Sequence, residues 1–382
     1  MMKSGAQELL SLSETKKSEK MMALAGVTFK IPERYVFQGK RLEGGQGFVY
    51  VYKDSFLDRL VAIKEMKRVR NSHSLRNELA KIREIRSRHV IEVYDFFEAK
   101  HSERVALVEE YVGGPTIQEL AGSLVAPIDG IKVLWQIACG LADIHSHGII
   151  HRDVKPSNMR FDRENIVKIF DFGLSSLTAG DPHTLSARGT TNFLAPEMYG
   201  TPPIRLRPAM DVYAFGVTAW YFLGKGSLPR ALKERPPQSE TEVPSLKGAQ
   251  LRLPVSITKV LDSAINPDPL RRPQMSSIRD VLERELTKEQ HRLVFIYEGQ
   301  RQVLSREVRS VKLTVGDSSL TIVYDGFKFD VESFNGQVYL NNTRIKGGDA
   351  VPDACVVTFG NASEGADRTF VPMTVLTPEV VL

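Results

Sequence analysis

The sequence predicts an α+β protein with a β-rich part, a helical part and then a small all-β sandwich. Three observations indicate this order. Residues 35–111 alternate apolar and polar side chains and are rich in β-formers, residues 117–286 carry apolar side chains at helical spacing, and residues 311–376 return to short alternating strands. The predicted domains are residues 1–30, 31–290 and 291–382, and the second divides into 31–111 and 112–290.

The elements follow one another with clear boundaries. Residues 1–30 are rich in Ser, Lys and Glu, which predicts a frayed helix or flexible arm. In the β-rich part the pattern predicts four strands, at 40–52, 60–66, 90–98 and 104–111, and one helix, at 75–86. The helical part predicts three long helices, at 128–148, 208–223 and 275–286. Near the C-terminus, turn signals such as Asp325-Gly326 and Asn335-Gly336 separate the predicted strands.

Composition and charge exclude several classes of function. The chain has 382 residues, 42% of them hydrophobic and 25% charged, and a formal net charge of +5. This small and scattered excess predicts no nucleic-acid partner. The longest apolar run is shorter than the about 20 residues that a membrane-spanning helix needs, so no membrane span is expected. The two cysteines, Cys139 and Cys355, favour a reducing compartment and predict a cytoplasmic protein.

One stretch of the helical part concentrates reactive side chains. The sequence His151-Arg152-Asp153-Val154-Lys155-Pro156-Ser157-Asn158 is followed by Asp171-Phe172-Gly173. A carboxylate such as Asp153 can accept the proton of a hydroxyl nucleophile. A second carboxylate, Asp171, and an amide oxygen, Asn158, are hard ligands that suit Mg²⁺ on a triphosphate.

These motifs resemble the catalytic-loop and metal-binding signatures of the protein kinase family. The resemblance implies a bilobal protein-kinase fold with a β-rich N-lobe and a helical C-lobe, and it implies ATP and Mg²⁺ as cofactors, with Mn²⁺ as a substitute. It makes Asp153 the catalytic base, Asn158 and Asp171 the metal ligands, and Lys155 a contact of the γ-phosphate. A lysine two residues after the base is typical of the serine/threonine-specific members.

The resemblance extends to the strand lysine of the family. Val61-Ala62-Ile63-Lys64 matches its pattern, so Lys64 is expected to hold the α- and β-phosphates. Its partner should be a glutamate on the following helix. Glu78 is preferred over Glu84 because it shares a helical face with the apolar residues of that segment.

The expected nucleotide-binding residues are the glycine-rich loop and the hinge. Backbone N–H groups approach phosphates where side chains are absent, hence glycine. The loop is similar to the family pattern, with Leu42 at its first glycine position. The hinge is expected to meet adenine through the backbone of two residues, with an alanine beneath the ring. The full expected set is Leu42, Gly44, Gly45, Gly47, Val49, Ala62, Lys64, Glu110 and Val112. The acidic residue before Glu110, Glu109, either pairs with a nearby Lys or Arg or points outward.

Further positions match the family outside the cleft. Thr190 is expected to touch the base and Lys155. Asp211 is expected to brace the catalytic loop, and Arg272 to pair with Glu197. Arg152 precedes the base, so the segment after Asp171 is expected to carry a phosphorylated residue among three candidates, Thr178, Thr184 and Ser186.

The C-terminal domain resembles the later half of a forkhead-associated domain. The similarity rests on residues 333–342 with Arg344-Ile345, Gly348-Asp349 and the run 357–360. The early phosphate-binding signals of that family are missing, and Asp317 stands where an arginine is usual. No binding residue is therefore assigned. The alternatives are a phosphoprotein-binding module and a β-sandwich used for docking or dimerisation.

The leading hypothesis is a serine/threonine protein kinase that transfers the ATP γ-phosphoryl group to Ser and Thr hydroxyls of protein substrates. The alternative is a catalytically silent kinase-fold scaffold with a C-terminal protein-binding module. A third hypothesis makes the C-terminal module the main function and the kinase its regulator. The hypothesis of an active kinase is favoured by the presence of Lys64, Asp153 and Asp171, because a catalytically silent relative usually lacks one of them.

Overall fold

The computed structural model describes most of the chain. The described residues are 19–24, 27–44, 47–66, 79–99, 105–123, 126–171, 191–201, 204–248 and 253–381. The chain divides into two compact units, the first ending at Arg279 and the second covering Asp280–Leu382. The domain boundary that the sequence places after residue 290 stays a prediction. Within the described residues, no helix is long and apolar enough to cross a bilayer.

A β-hairpin precedes the main sheet of the first unit. Strands β1 (Glu19–Leu24) and β2 (Val27–Pro32) pair antiparallel. At residues 19–24 and 27–32 the structure has strands where the sequence predicts a frayed helix or flexible arm, and residues 1–18 lie outside the described residues. Over residues 1–30 the abundance of Ser and Lys masks a short alternation of β-formers, Val27, Phe29 and Ile31. Ile31 is buried in the apolar core of the N-terminal lobe, which helps to hold the hairpin in place.

A five-stranded antiparallel sheet forms the N-terminal lobe, in the order β3-β4-β5-β7-β6. The strands are β3 (Tyr35–Gly44), β4 (Gly47–Asp54), β5 (Arg59–Met66), β6 (Val93–Glu98) and β7 (Val105–Glu110). Alternation divides β5 between two faces. Val61 and Ile63 lie in an apolar cluster with Tyr52, so Ala62 and Lys64 project from the opposite face.

The second lobe of this unit is helical. Its helices are α1 (Pro127–Ser146), α2 (Pro208–Leu223), α3 (Arg230–Lys233) and α4 (Val255–Ala264), and helix α5 (Met275–Leu286) runs across the boundary after Arg279. Pro127 and Pro208 occupy first helical positions, where the missing N–H costs nothing. Helix α2 is buried on nearly all sides, which makes it the centre of the lobe. The three long predicted helices are confirmed.

A small hairpin carries the segments that hold the reactive residues. Strands β8 (Met159–Phe161) and β9 (Val167–Ile169) pair antiparallel. The segment 151–158 leads into β8, and Asp171 follows shortly after β9.

Short 3₁₀ helices lie at Pro156–Asn158, Thr191–Phe193, Pro196–Tyr199, Leu246–Gly248, Pro269–Arg271 and Ala362–Asp367.

The second unit is a β-sandwich, as the sequence predicts. One sheet has six strands in the order β11-β10-β18-β17-β15-β16, and the other has three in the order β12-β13-β14. Its strands are β10 (Arg292–Tyr297), β11 (Gln300–Leu304), β12 (Ser310–Val315), β13 (Ser318–Tyr324), β14 (Phe329–Asn335), β15 (Val338–Leu340), β16 (Thr343–Arg344), β17 (Ala354–Phe359) and β18 (Thr369–Leu376). Both sheets contribute to one apolar core, for example Phe295 and Val357 from the first and Leu320 and Phe329 from the second.

Candidate active site

The loop before β8 and the end of β9 are fixed to each other by backbone bonds. The N–H of Phe170 donates to the carbonyl oxygen of Asn158 at 3.0 Å. The paired strands continue this contact, with Met159 opposite Ile169. Asp171 therefore lies beside the loop that carries Asp153, although the two are distant in sequence.

The carboxylate of Asp153 is oriented by two side chains of its own loop. Its Oδ2 accepts hydrogen bonds from Lys155 Nζ and from Asn158 Nδ2, both at 2.8 Å. Asn158 Nδ2 also donates to the main-chain oxygen of Asp153 at 2.9 Å. The carboxylate stays partly exposed. It can therefore meet a hydroxyl group arriving from solvent while its direction is fixed.

Lys64 reaches the same place from the N-terminal lobe. Its ammonium group forms a salt bridge with the carboxylate of Asp171, and both side chains are largely buried. Burial opposes the charged form of Lys64, but the negative charges of Asp171 and Glu109 outweigh it, so the pKa of Lys64 is raised. The lysine is therefore a fixed cation in the cleft. Asp171 holds a φ of 67°, a left-handed conformation that is uncommon outside glycine and typical of functional sites.

A second carboxyl group lies deeper in the cleft. Glu109 on β7 is opposite Ala62 in the sheet register and only 9% exposed. Burial raises the pKa of Glu109 to about 7. The positive charge of Lys64 lowers this pKa in part, and the negative charge of Asp171 raises it further. The sequence leaves open whether this side chain pairs with a cation or points outward. The structure excludes the outward orientation and places Glu109 in the electrostatic field of Lys64.

Asp211 braces the catalytic loop, as predicted. Its carboxylate accepts the backbone N–H groups of His151 at 2.7 Å and Arg152 at 2.9 Å. His145 Nε2, at the end of α1, lies 2.9 Å from the same carboxylate. Arg152 has a φ of 70°, so these bonds hold a strained backbone just before Asp153. The contact of His145 carries no sequence motif and was missed.

His151 connects the two loops as a neutral imidazole. Its Nε2 lies 3.1 Å from the carbonyl oxygen of Phe170, so it carries the proton and donates. Its Nδ1 then accepts the N–H of Asp153 at 3.3 Å. Burial is the largest influence on the ring and lowers the pKa of His151. The ring thus ties the base loop to the residue before Asp171.

The predicted ion pair between Arg272 and Glu197 is present. The guanidinium donates to the two carboxylate oxygens at 2.7 and 2.8 Å. Its other N–H groups reach the main-chain oxygens of Ala209, Asn266 and Pro267. The pair is bidentate and fully hydrogen-bonded, which is the condition under which a buried ion pair is tolerated.

Strands β3 and β4 bring the predicted glycine-rich residues opposite one another. Gly44 lies opposite Gly47 and Leu42 opposite Val49. At the hinge, the N–H of Glu110 donates to the carbonyl oxygen of Glu92 at 2.9 Å. The carboxylate of Glu110 binds Lys168 Nζ at 3.1 Å, a contact that the sequence did not predict.

Some predicted residues lie outside the described residues. They are Gly45, Glu78 and Thr190, together with the three phosphorylation candidates Thr178, Thr184 and Ser186. Their predicted roles stay predictions. Glu84, the weaker candidate for the partner of Lys64, is exposed at the end of the helical segment 79–84.

The oxygen donors of the cleft fit a magnesium ion held mainly by a phosphate ligand. The described residues contain no group of three or more His, Cys, Asp and Glu side chains that could hold a metal ion alone. Mg²⁺ on a nucleotide needs only one or two protein oxygens, because phosphates and water supply the rest. Asp171 and Asn158 are a carboxylate and an amide of that kind, and the backbone bond between Phe170 and Asn158 keeps them adjacent.

A buried lysine, an oriented carboxylate and a second carboxylate lie between a β-rich and a helical lobe, which is the arrangement of the protein-kinase class. The protein kinase domain family matches residues 38–286 of the chain. The chain therefore belongs to the protein kinase family.

Curated relatives carry the same domain. The chain is 32% identical over 253 residues to the serine/threonine-protein kinase drp72 of Corynebacterium efficiens, covering 60% of this chain and 46% of the relative. It is 28% identical over 245 residues to the serine/threonine-protein kinase PrkC of Bacillus subtilis, covering 60% and 37%. It is 31% identical over 253 residues to the serine/threonine-protein kinase PknA of Corynebacterium glutamicum, covering 60% and 51%. The matches span about half of these relatives or less.

Proposed function

We propose that this chain is an ATP-dependent protein kinase that phosphorylates Ser and Thr hydroxyls of protein substrates. The observation that carries the proposal is the convergence of Lys64, Asp153 and Asp171 in one cleft. Each side chain has the charge that the reaction requires, and each is held by bonds within the described residues.

The roles of the residues follow from their positions. Lys64 is a fixed cation that would leave Asp171 for the α- and β-phosphates of bound ATP. Asp153 would accept or orient the proton of the substrate hydroxyl, and Lys155 beside it would contact the γ-phosphate. The N–H of Glu110 is engaged within the lobe, so its contact with adenine would use the carbonyl oxygen, together with the backbone of Val112.

We propose Mg²⁺ as the metal, with Mn²⁺ as a substitute, held by Asp171 and Asn158. A divalent ion at these oxygens would neutralise charge on the transferring phosphoryl group. The two free cysteines support a cytoplasmic, reducing location, which is part of this proposal.

For the second unit we propose a forkhead-associated-like fold that serves to bind proteins. The two-sheet sandwich supports this assignment. The forkhead-associated family has an arginine at the position of Asp317. The run Val315-Gly316-Asp317 therefore gives no support to a phosphothreonine contact.

Transfer of labelled γ-phosphate from Mg-ATP to a generic basic protein tests the main proposal. The full chain should produce phosphoserine or phosphothreonine, and Lys64→Met should reduce incorporation to background. Absence of transfer by the wild-type chain, or phosphotyrosine as the product, would overturn it. Running the assay without residues 291–382, which removes every strand of the sandwich, shows whether the second unit regulates the first.

A further inference from the structure

The outer faces of the two sheets in the second unit differ in composition. Along each strand of a β-sandwich, the residues that alternate with core positions project outward, and they are polar where that face meets water. The three-stranded sheet follows this rule. Its outward positions include Ser310, Lys312, Thr314 and Asp330.

The outward positions of the six-stranded sheet are mostly apolar. We call the following six residues of β10, β17 and β18 the apolar outer face: Val294, Ile296, Val356, Phe370, Pro372 and Leu376. Ile296 is 62% exposed, Phe370 and Leu376 are 48% exposed, and Val356 is 36% exposed. An apolar area of this kind on a soluble domain indicates an interaction site.

The strand register makes this face continuous. Val356 lies opposite Pro372, and Thr358 lies opposite Phe370 on one side and Tyr339 on the other. Thr358 projects outward yet is almost fully buried, with an aromatic residue next to it on each side in the register. The face is therefore a packed surface rather than a set of scattered side chains.

The sequences of these strands also indicate an interaction site on the apolar outer face. Strand β10 reads RLVFIY, β17 reads ACVVTF and β18 reads TFVPMTVL. Near-continuous apolar runs are typical of strands covered on both faces, whereas a strand with one solvated face alternates. The core covers one face of these strands, and the other face is exposed.

The charges on this face are all positive. Arg301 lies opposite Ile296, Arg292 opposite Leu376, and Arg344 opposite Tyr339. No outward strand position of this sheet, every one of which the structure describes, is acidic. None of the three arginines forms a salt bridge with a described residue. On the smaller sheet, by contrast, Lys328 and Asp330 pair at 2.9 Å.

The size and charge of the face decide between possible occupants. With the arginines on β11 and β16 included, the outer surface has six strands at about 4.8 Å spacing and five residues at about 3.4 Å along each strand, which gives about 24 by 14 Å, or about 340 Å². A stable dimer buries about 800 Å² on each partner. A second copy would also bring arginines against arginines, since no outward strand position of this sheet is acidic. A β-strand partner is disfavoured because backbone groups are offered at a sheet edge, not on its face.

We propose that the apolar outer face docks an amphipathic helix of a partner protein, and that carboxylates along the helix pair with Arg292, Arg301 and Arg344. A helix of about 14 residues is about 21 Å long, which spans most of the six-strand width of this sheet. Its apolar side chains would cover Ile296 and Phe370. An anionic membrane is less suited, because the second unit as a whole holds more acidic than basic side chains.

Fluorescence anisotropy with the full chain tests this proposal. The probe is a labelled helical peptide of about 14 residues with leucines at helical spacing and glutamates at the remaining positions. Two control peptides replace the glutamates by lysines or scramble the same composition. The glutamate peptide should bind, and Ile296→Glu should weaken it at least about tenfold, as expected for an apolar anchor. Arg301→Glu should weaken it and reduce its salt dependence.

Matched variants of the same unit serve as controls. Val308→Glu changes an apolar residue of similar exposure that lies off the face, and Lys312→Glu reverses a charge on the smaller sheet. Both should bind like the wild type. Equal binding of all three peptides, or an equal loss in the control variants, would overturn the proposal. So would binding of anionic vesicles that Ile296→Glu abolishes, or a concentration-dependent dimer that the same variant disrupts.

Discussion

The buried carboxyl group of Glu109 makes the stability of the first unit depend on pH. An unfolded glutamate ionises near 4.5, whereas burial raises the pKa of folded Glu109 to about 7. Between these values the folded state holds one proton more than the unfolded state, so stability falls as pH rises. The loss is nearly complete about one pH unit above the folded pKa, near pH 8. The loss of stability amounts to about 3 kcal/mol, because each pH unit between the unfolded and the folded pKa contributes about 1.4 kcal/mol.

The substitution Glu109→Gln removes this ionisation while it keeps the shape of the side chain. We therefore expect the variant to gain about 3 kcal/mol relative to the wild type between about pH 4.5 and pH 8. Urea unfolding followed by tryptophan emission measures the difference. The chain has two tryptophans, Trp135 in α1 and Trp220 in α2, so the signal comes from the first unit alone.

Glu84→Gln is the matched control, because it makes the same change in an exposed side chain of the same lobe. Its stability should run parallel to that of the wild type across this pH range. If the Glu109→Gln and wild-type curves were also parallel, the carboxyl group would not be desolvated as the structure shows, and the reasoning would fail.

Three further substitutions or treatments test separate parts of the structure. Arg272→Ala leaves Glu197 without its two charge-assisted bonds and should cost about 3–5 kcal/mol in the same unfolding assay; a loss near zero would show that the pair is dispensable. Gly114→Ala would place a Cβ 2.1 Å from the carbonyl oxygen of Phe161 and should cost about 1–3 kcal/mol; a neutral result would contradict this close approach. Burial raises the pKa of Cys355 to about 11, so iodoacetamide near pH 8 should label it only after unfolding, as mass spectrometry can show.

The sequence predicts which side chains meet in the candidate site because the chemistry limits which residue types can serve there. Asp153, Lys155 and Asn158 lie within one short loop, where local bonds set their geometry. The pair between Arg272 and Glu197 is also predictable, since both positions match the family pattern. The long helices follow from apolar periodicity and from proline at their first positions.

Other features depend on contacts between distant segments and leave no local signal. His145 meets Asp211 only because α1 ends near the start of α2. The burial of Glu109 depends on which strands flank β7. The hairpin at residues 19–32 was missed because composition over a whole segment hides a short alternation. Likewise, the apolar outer face is recognisable only when strand order places β17 and β18 side by side.

The central claim is that Asp153 acts on the substrate hydroxyl while other residues hold the nucleotide. Single-turnover phosphoryl transfer and the ATP dissociation constant, measured together on Asp153→Asn, test it most directly. The transfer rate should fall by about 10²–10⁴, the range for loss of a general base, while ATP affinity stays within about a factor of two. A variant that transfers phosphate at the wild-type rate, or that loses ATP binding in parallel with transfer, would contradict the assignment.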